Sequence, residues 1–90
     1  MSTRATLRDP DALSAFISTL VSFNSDLQAR TSNLNGTWAE LLNAWRDPQA
    51  MKALGHWDAT YPIIRRYLAE SEGYVDYLRA RLAEVREFGG

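Results

Sequence analysis

From Leu54 to Val85 the chain places an apolar or small residue at every third or fourth position without a slip: Leu54, Trp57, Tyr61, Ile64, Leu68, Ser71, Val75, Leu78, Leu82 and Val85. That rhythm matches the period of an α-helix, and no run alternates residue by residue as a half-buried strand would. The feature commits the second half of a 90-residue chain to one long amphipathic helix. Pro62 is the discordant residue, since it lacks the N–H for one backbone bond and crowds the carbonyl of Asp58. The unbroken phase favours a bend near Trp57–Pro62 over a short helix followed by a second one starting at Pro62.

The first half carries a similar stripe. Leu13, Phe16, Leu20, Phe23 and Leu27 are spaced by threes and fours, and Leu34, Trp38, Leu41 and Trp45 continue nearly in phase. Asn35-Gly36 looks like a turn, but a break has no reason to preserve phase. One helix from Pro10 to about Trp45 is expected, with a local irregularity near Gly36 as the alternative. Residues 1–8 are polar and aperiodic, and read as a loose tail.

The boundary between the helices is written twice. Asp9-Pro10 and Asp47-Pro48 both follow an arginine. Proline fits the first helical position, and an aspartate just before it can accept from the free N–H groups of the first turn. Aligning the two stretches soon sets Leu20 against Asp58, so they are repeated punctuation and not a duplicated unit. The expected turn is therefore residues 46–47, with Trp45, Asp47 and Pro48 forming its motif, and the second helix runs over about 48–88.

Two long helices joined by so short a turn must lie antiparallel, so the expected fold is all-α, a two-helix hairpin. One seam needs only a narrow stripe from each helix. Both helices carry more, with Ile17, Val21 and Leu42 beside the first stripe and Ile63, Tyr67, Tyr74 and Tyr77 beside the second. Surplus apolar surface of that extent marks a partner surface. The expected assembly is a four-helix bundle made of two copies, or of this chain and a related small helical protein. Its hairpin and dimer interface would draw on Phe16, Leu20, Phe23, Leu27, Leu34, Trp38 and Leu41 of the first helix. The second would supply Leu54, Trp57, Tyr61, Ile64, Tyr67, Leu68, Tyr74, Val75, Leu78 and Leu82. Trp38 and Trp57 are read as core rings, and Trp45 as either a closing ring or part of a surface read by another protein.

Nothing in the pattern assembles catalytic chemistry. The chain has no cysteine and one histidine, His56, whose acidic neighbours Asp47 and Asp58 are not three or four residues away, so no metal or other cofactor is expected. Acids and arginines alternate along the second helix, with Arg66–Glu70 and Asp76–Arg79 expected as local pairs. Ser14, Ser18, Ser22 and Ser25 follow the polar side of the first helix, without a base in reach. A net charge of −1 gives no field for nucleic acid. No stretch has the length or apolarity of a signal peptide or a membrane span, so neither nucleic-acid binding nor membrane insertion is expected. The chain is expected to be made in the cytoplasm, with export by a route that reads no cleavable peptide left open.

The passage "LQARTSNLNGTWAELLNAWRDPQAMKAL" resembles the helix–turn–helix of the WXG family, the early-secreted-antigen-like small helical hairpins of type VII secretion. The resemblance extends from Asp9 to Phe88. Trp45-Arg46-Asp47 stands where that family has Trp-x-Gly, which marks a divergent member. The family's export signal, a tyrosine followed four residues later by an acid, is absent: Tyr61, Tyr67, Tyr74 and Tyr77 are followed by Arg65, Ser71, Leu78 and Arg81. The resemblance implies a non-enzymatic protein of a bacterial secretion system, acting as a small substrate or as partner or chaperone of a larger effector. The alternative is a cytosolic adaptor or structural subunit that docks a larger assembly through its apolar face.

Overall fold

Both helices open with the same chemistry in the computed structural model, which describes residues 9–88. At the first, Asp9 Oδ1 accepts from the backbone N–H of Asp11 at 3.0 Å and of Ala12 at 3.3 Å, and Pro10 takes the first helical position. At the second, Asp47 Oδ1 accepts from Ala50 N–H at 2.8 Å, and Pro48 follows. Each aspartate satisfies donors that the helix itself cannot, and places a negative charge at the positive end of the dipole. The resulting elements are α1, Pro10–Ala44, and α2, Pro48–Phe88. The tail expected over residues 1–8 lies outside the described residues.

The chain is an all-α antiparallel hairpin, and the described residues contain no strand. α1 runs through Gly36 without interruption. A hydroxyl nearby adapts to the helix, with Thr37 Oγ1 donating to the carbonyls of Asn33 at 3.2 Å and Leu34 at 3.0 Å. α2 likewise continues through Pro62 as one helix, so no second start is made there. Pro62 and Asp58 are both exposed, which leaves the carbonyl that loses its partner on the solvent side.

α1 ends at Ala44, and its C-cap Trp45 has an extended backbone (φ −137°, ψ 101°) while its N–H still reaches Leu41 O at 2.8 Å. Three residues then reverse the chain. The far ends of the helices are tied by Arg86 to Asp11 at 3.3 Å, an exposed pair. The rod measures 62 × 25 × 16 Å, with a radius of gyration of 19.7 Å. A compact chain of this length would have about 12 Å. Its accessible surface is 7154 Å², against roughly 5,300 Å² for a compact monomer of this mass.

A single seam gives little interior. Among the described residues the buried apolar side chains are Ile17, Ala50 and Val75, joined by the buried polar residues Thr31 and Ser71. The rest of the seam is half-buried.

Candidate functional site

The inward side of α2 is the row of threes and fours: Ala50, Leu54, Trp57, Tyr61, Ile64 and Leu68, then Ser71, Val75, Leu78, Leu82 and Val85, all buried or half-buried. Its aromatic stretch is ordered, with the Trp57 and Tyr61 ring centroids 5.6 Å apart and the Arg65 guanidinium 5.7 Å from the Tyr61 centroid.

α1 divides differently from the reading of its stripe. Leu13, Leu20, Leu27 and Trp38 are half-buried, but Phe16, Phe23, Leu34 and Leu41 are exposed, and so is Trp45. The seam is filled instead by Ile17, Val21, Asn24, Thr31, Asn35 and Leu42, three of which are polar. The apolar arc of α1 is wider than one neighbouring helix can cover. The side containing Ile17, Val21 and Leu42, read as surplus, is the one that packs.

The polar seam residues are matched across the two helices. Asn24 Nδ2 donates to Ser71 Oγ at 2.6 Å, and Tyr67 Oη donates to Asn24 Oδ1 at 2.8 Å. The Trp57 indole N–H donates to Asn35 Oδ1 at 2.9 Å. A buried polar group left without a partner costs about 1–3 kcal/mol, so these bonds make the polar positions tolerable. Trp38 is the exception, because its buried indole N–H has no partner. No apolar cue marks Asn24, Thr31 or Asn35, which hydropathy assigns to the outside. Their only signature is a spacing from Ile17 and to Leu42 that keeps helical phase.

The two broad sides of the rod differ. On one, Leu20 meets Tyr67, Ser71 and Tyr74 around a shallow hollow. Phe16, Phe23, Leu34 and Leu41 stand on that flank of α1, and Ile63, Tyr67, Tyr74 and Tyr77 on the matching flank of α2. These eight side chains are between 37% and 64% exposed. At roughly 200 Å² for a fully exposed large side chain they present on the order of 800 Å² of mostly apolar surface. Arg30 and Glu70 stand within the two rows, one charge of each sign. The opposite side is polar: Ser14, Ser18, Ser25 and Asp26 face Arg79, and Gln28 and Ser32 face Arg65 and Glu72.

At the tip, Asp47 is half-buried and Trp45, Arg46, Pro48 and Met51 are exposed. Asp47 holds both helix ends together. While Oδ1 caps α2, Oδ2 accepts from the Trp45 indole N–H at 2.6 Å. The aspartate that stands in place of a glycine therefore has a role of its own in orienting Trp45.

His56 is exposed on α2, and the described residues contain no group of three or more acids or histidines suited to a metal ion. The local pairs expected at Arg66–Glu70 and Asp76–Arg79 do not form. Arg79 lies instead beside the serine-lined side, and the ion pairs among the described residues are Arg81–Glu84 at 3.0 Å and Arg86–Asp11. All four partners are well exposed, where such pairs contribute little and compete poorly with hydration. No described helix is long and apolar enough to cross a membrane. Comparison with protein-family models, curated proteins and solved structures finds no match to the chain.

Proposed function

We propose that the chain is a non-enzymatic interaction module whose working form is a pair of hairpins packed by their apolar sides into a four-helix bundle. The observation that carries this reading is the one-sided apolar surface. Its area, about 800 Å², equals what each partner contributes to a standard protein–protein interface. The preferred occupant is a second copy, because the face has no net charge for a charged partner to match and a two-fold interface pairs a surface with itself. The bundle would also give the hairpin the interior that one seam lacks. A related small helical protein could replace the second copy in the same geometry.

For biological role, the Trp45-Arg46-Asp47 turn and the WXG resemblance support a small secretion-linked protein, exported itself or accompanying a larger effector. The missing tyrosine-plus-acid pair favours the adaptor reading, in which the bundle stays in the cytoplasm or travels only with a partner that carries the signal.

Light scattering on the purified chain at micromolar concentration tests the assembly, with a mass near twice 10.2 kDa expected. A fully helical monomer would refute self-association. Immunoblots of culture supernatant and lysate, with a lysis control, then separate exported protein from resident adaptor.

A further inference from the structure

Contacts across the seam set the register of the hairpin. Asn24 meets Ser71, Asn35 meets Trp57 and Arg86 meets Asp11, so residue numbers at one height along the rod add to between 92 and 97. By that rule Phe16 stands level with Tyr77, Phe23 with Tyr74 and Leu34 with Ile63, all on the apolar side. Arg30 and Glu70 are the charges within these rows. Both are exposed, and neither is in an ion pair among the described residues. The same rule puts Glu70 level with about residue 25, so the two charges are about five residues, or roughly 8 Å, apart along the rod.

A second copy can cover this side in two ways that keep two-fold symmetry. With the axis along the rod, both tips lie at the same end and each α1 rests on the other copy's α2 at equal height. The level apolar residues then meet one another, and Arg30 of each copy comes within reach of the other's Glu70. With the axis across the rod, the tips point opposite ways, and α1 rests on α1 and α2 on α2. The α1 row is centred near residue 28 and the α2 row near residue 70, which is level with about residue 25, so one axis cannot centre both. An axis through the middle of the side brings Arg30 or Glu70 within about 8 Å of its own counterpart along the rod. Like charges set so close across an interface are unfavourable, whereas opposite ones fix its register.

We infer that the second copy docks with its tip beside the first tip, α1 of each on α2 of the other, and that Arg30 and Glu70 select this arrangement as two symmetric ion pairs. The inference rests on the interaction reading above and states which surfaces meet. It also gathers both turns, each with Trp45, Arg46 and Met51 exposed, into one doubled surface at a single end of the bundle. The opposite arrangement would separate them by nearly the length of the rod.

The chain has no cysteine, so Arg46→Cys provides a single site at the tip for a spin label. The rod is 62 Å long and 25 × 16 Å across, so electron–electron double resonance on the labelled dimer should give a tip-to-tip distance of about 30 Å. A distance of roughly 50 Å or more overturns the arrangement and leaves the dimer standing. Absent dipolar coupling, with a monomer in light scattering of the unlabelled chain, overturns the interaction reading and this inference together. Charge reversal tests the two residues. Arg30→Glu alone and Glu70→Arg alone should each raise the dimer Kd by about tenfold or more, and the two combined should restore it to within about threefold. In the opposite arrangement, reversal keeps like facing like. A combined variant no better than the single ones, or Kd values unchanged throughout, therefore overturns the pairing. Circular dichroism checks that each variant stays helical. Where a reversal loses helicity, a cycle of Arg30→Gln and Glu70→Gln replaces it, with non-additive losses supporting the pairing and additive ones overturning it.

Discussion

Asp47 is the residue whose replacement separates a plain hairpin turn from a turn that positions Trp45. Its two carboxylate oxygens have different work: Oδ1 accepts from Ala50 N–H at 2.8 Å, and Oδ2 from the Trp45 indole at 2.6 Å. Asp47→Ala removes both. A lost N-cap costs about 1 kcal/mol, and a lost hydrogen bond to a charged, half-buried acceptor about another. A destabilisation of about 2 kcal/mol is expected, which for a chain of this size lowers Tm by roughly 10 °C. Asp47→Asn is more informative, because an amide offers one oxygen. It can keep the cap, where Asn and Asp are equivalent, but it then turns an N–H₂ group toward the indole N–H. The expected loss is about 1 kcal/mol.

A double-mutant cycle isolates the indole bond. Trp45→Phe should cost about 1 kcal/mol in the native chain and close to nothing once Asp47 is Asn, since the bond is already gone. Urea unfolding followed by circular dichroism at one fixed protein concentration measures all four chains, the fixed concentration being needed because association shifts apparent stability. Equal costs for Trp45→Phe in both backgrounds would show that the Trp45–Asp47 bond contributes nothing. The turn would then be explained by capping alone.

Other consequences are open to simpler measurements. Phe23→Lys with Tyr74→Lys, both on the apolar side, should convert a dimer to a monomer by light scattering while helicity at fixed concentration falls only modestly; an undiminished dimer would move the interface elsewhere. Gly36, Gly55 and Gly73 lie inside helices with open space where a Cβ would be, so each change to Ala should raise stability by about 0.5–1 kcal/mol in urea unfolding. A loss at any of the three would mean that the helix is not intact there in solution. Trp57→Phe should cost at least about 1 kcal/mol more than Trp38→Phe. The first breaks the bond to Asn35, whereas the second removes a buried N–H that has no partner. Equal costs would mean that the Asn35 bond is not formed.

How far the chain could be read from its sequence differs between its halves, for a physical reason. On α2 the main row keeps one unbroken rhythm and Ile63, Tyr67, Tyr74 and Tyr77 lie beside it, so periodicity alone marks the side from Leu54 to Val85 that turns inward. The helix starts were equally legible, because an aspartate before a proline has few other uses. On α1 the apolar arc is broader than the seam, and periodicity then gives the arc without saying which part of it packs. The side that packs includes groups that a hydropathy pattern counts as outside: Asn24, Thr31 and Asn35, of which both asparagines find partners on α2. Those partners are dozens of residues away in sequence, at positions such as Ser71 and Trp57 that look like ordinary members of a stripe. The same limit applies at the tip. Capping by Asp47 is a local rule, but the second carboxylate oxygen is engaged by an indole whose reach depends on the extended backbone at Trp45. Phe16, Phe23, Leu34 and Leu41 were legible as part of the apolar arc, yet not as the part that the seam leaves exposed. That distinction depends on which side of α1 meets α2, and the pairing spans both helices.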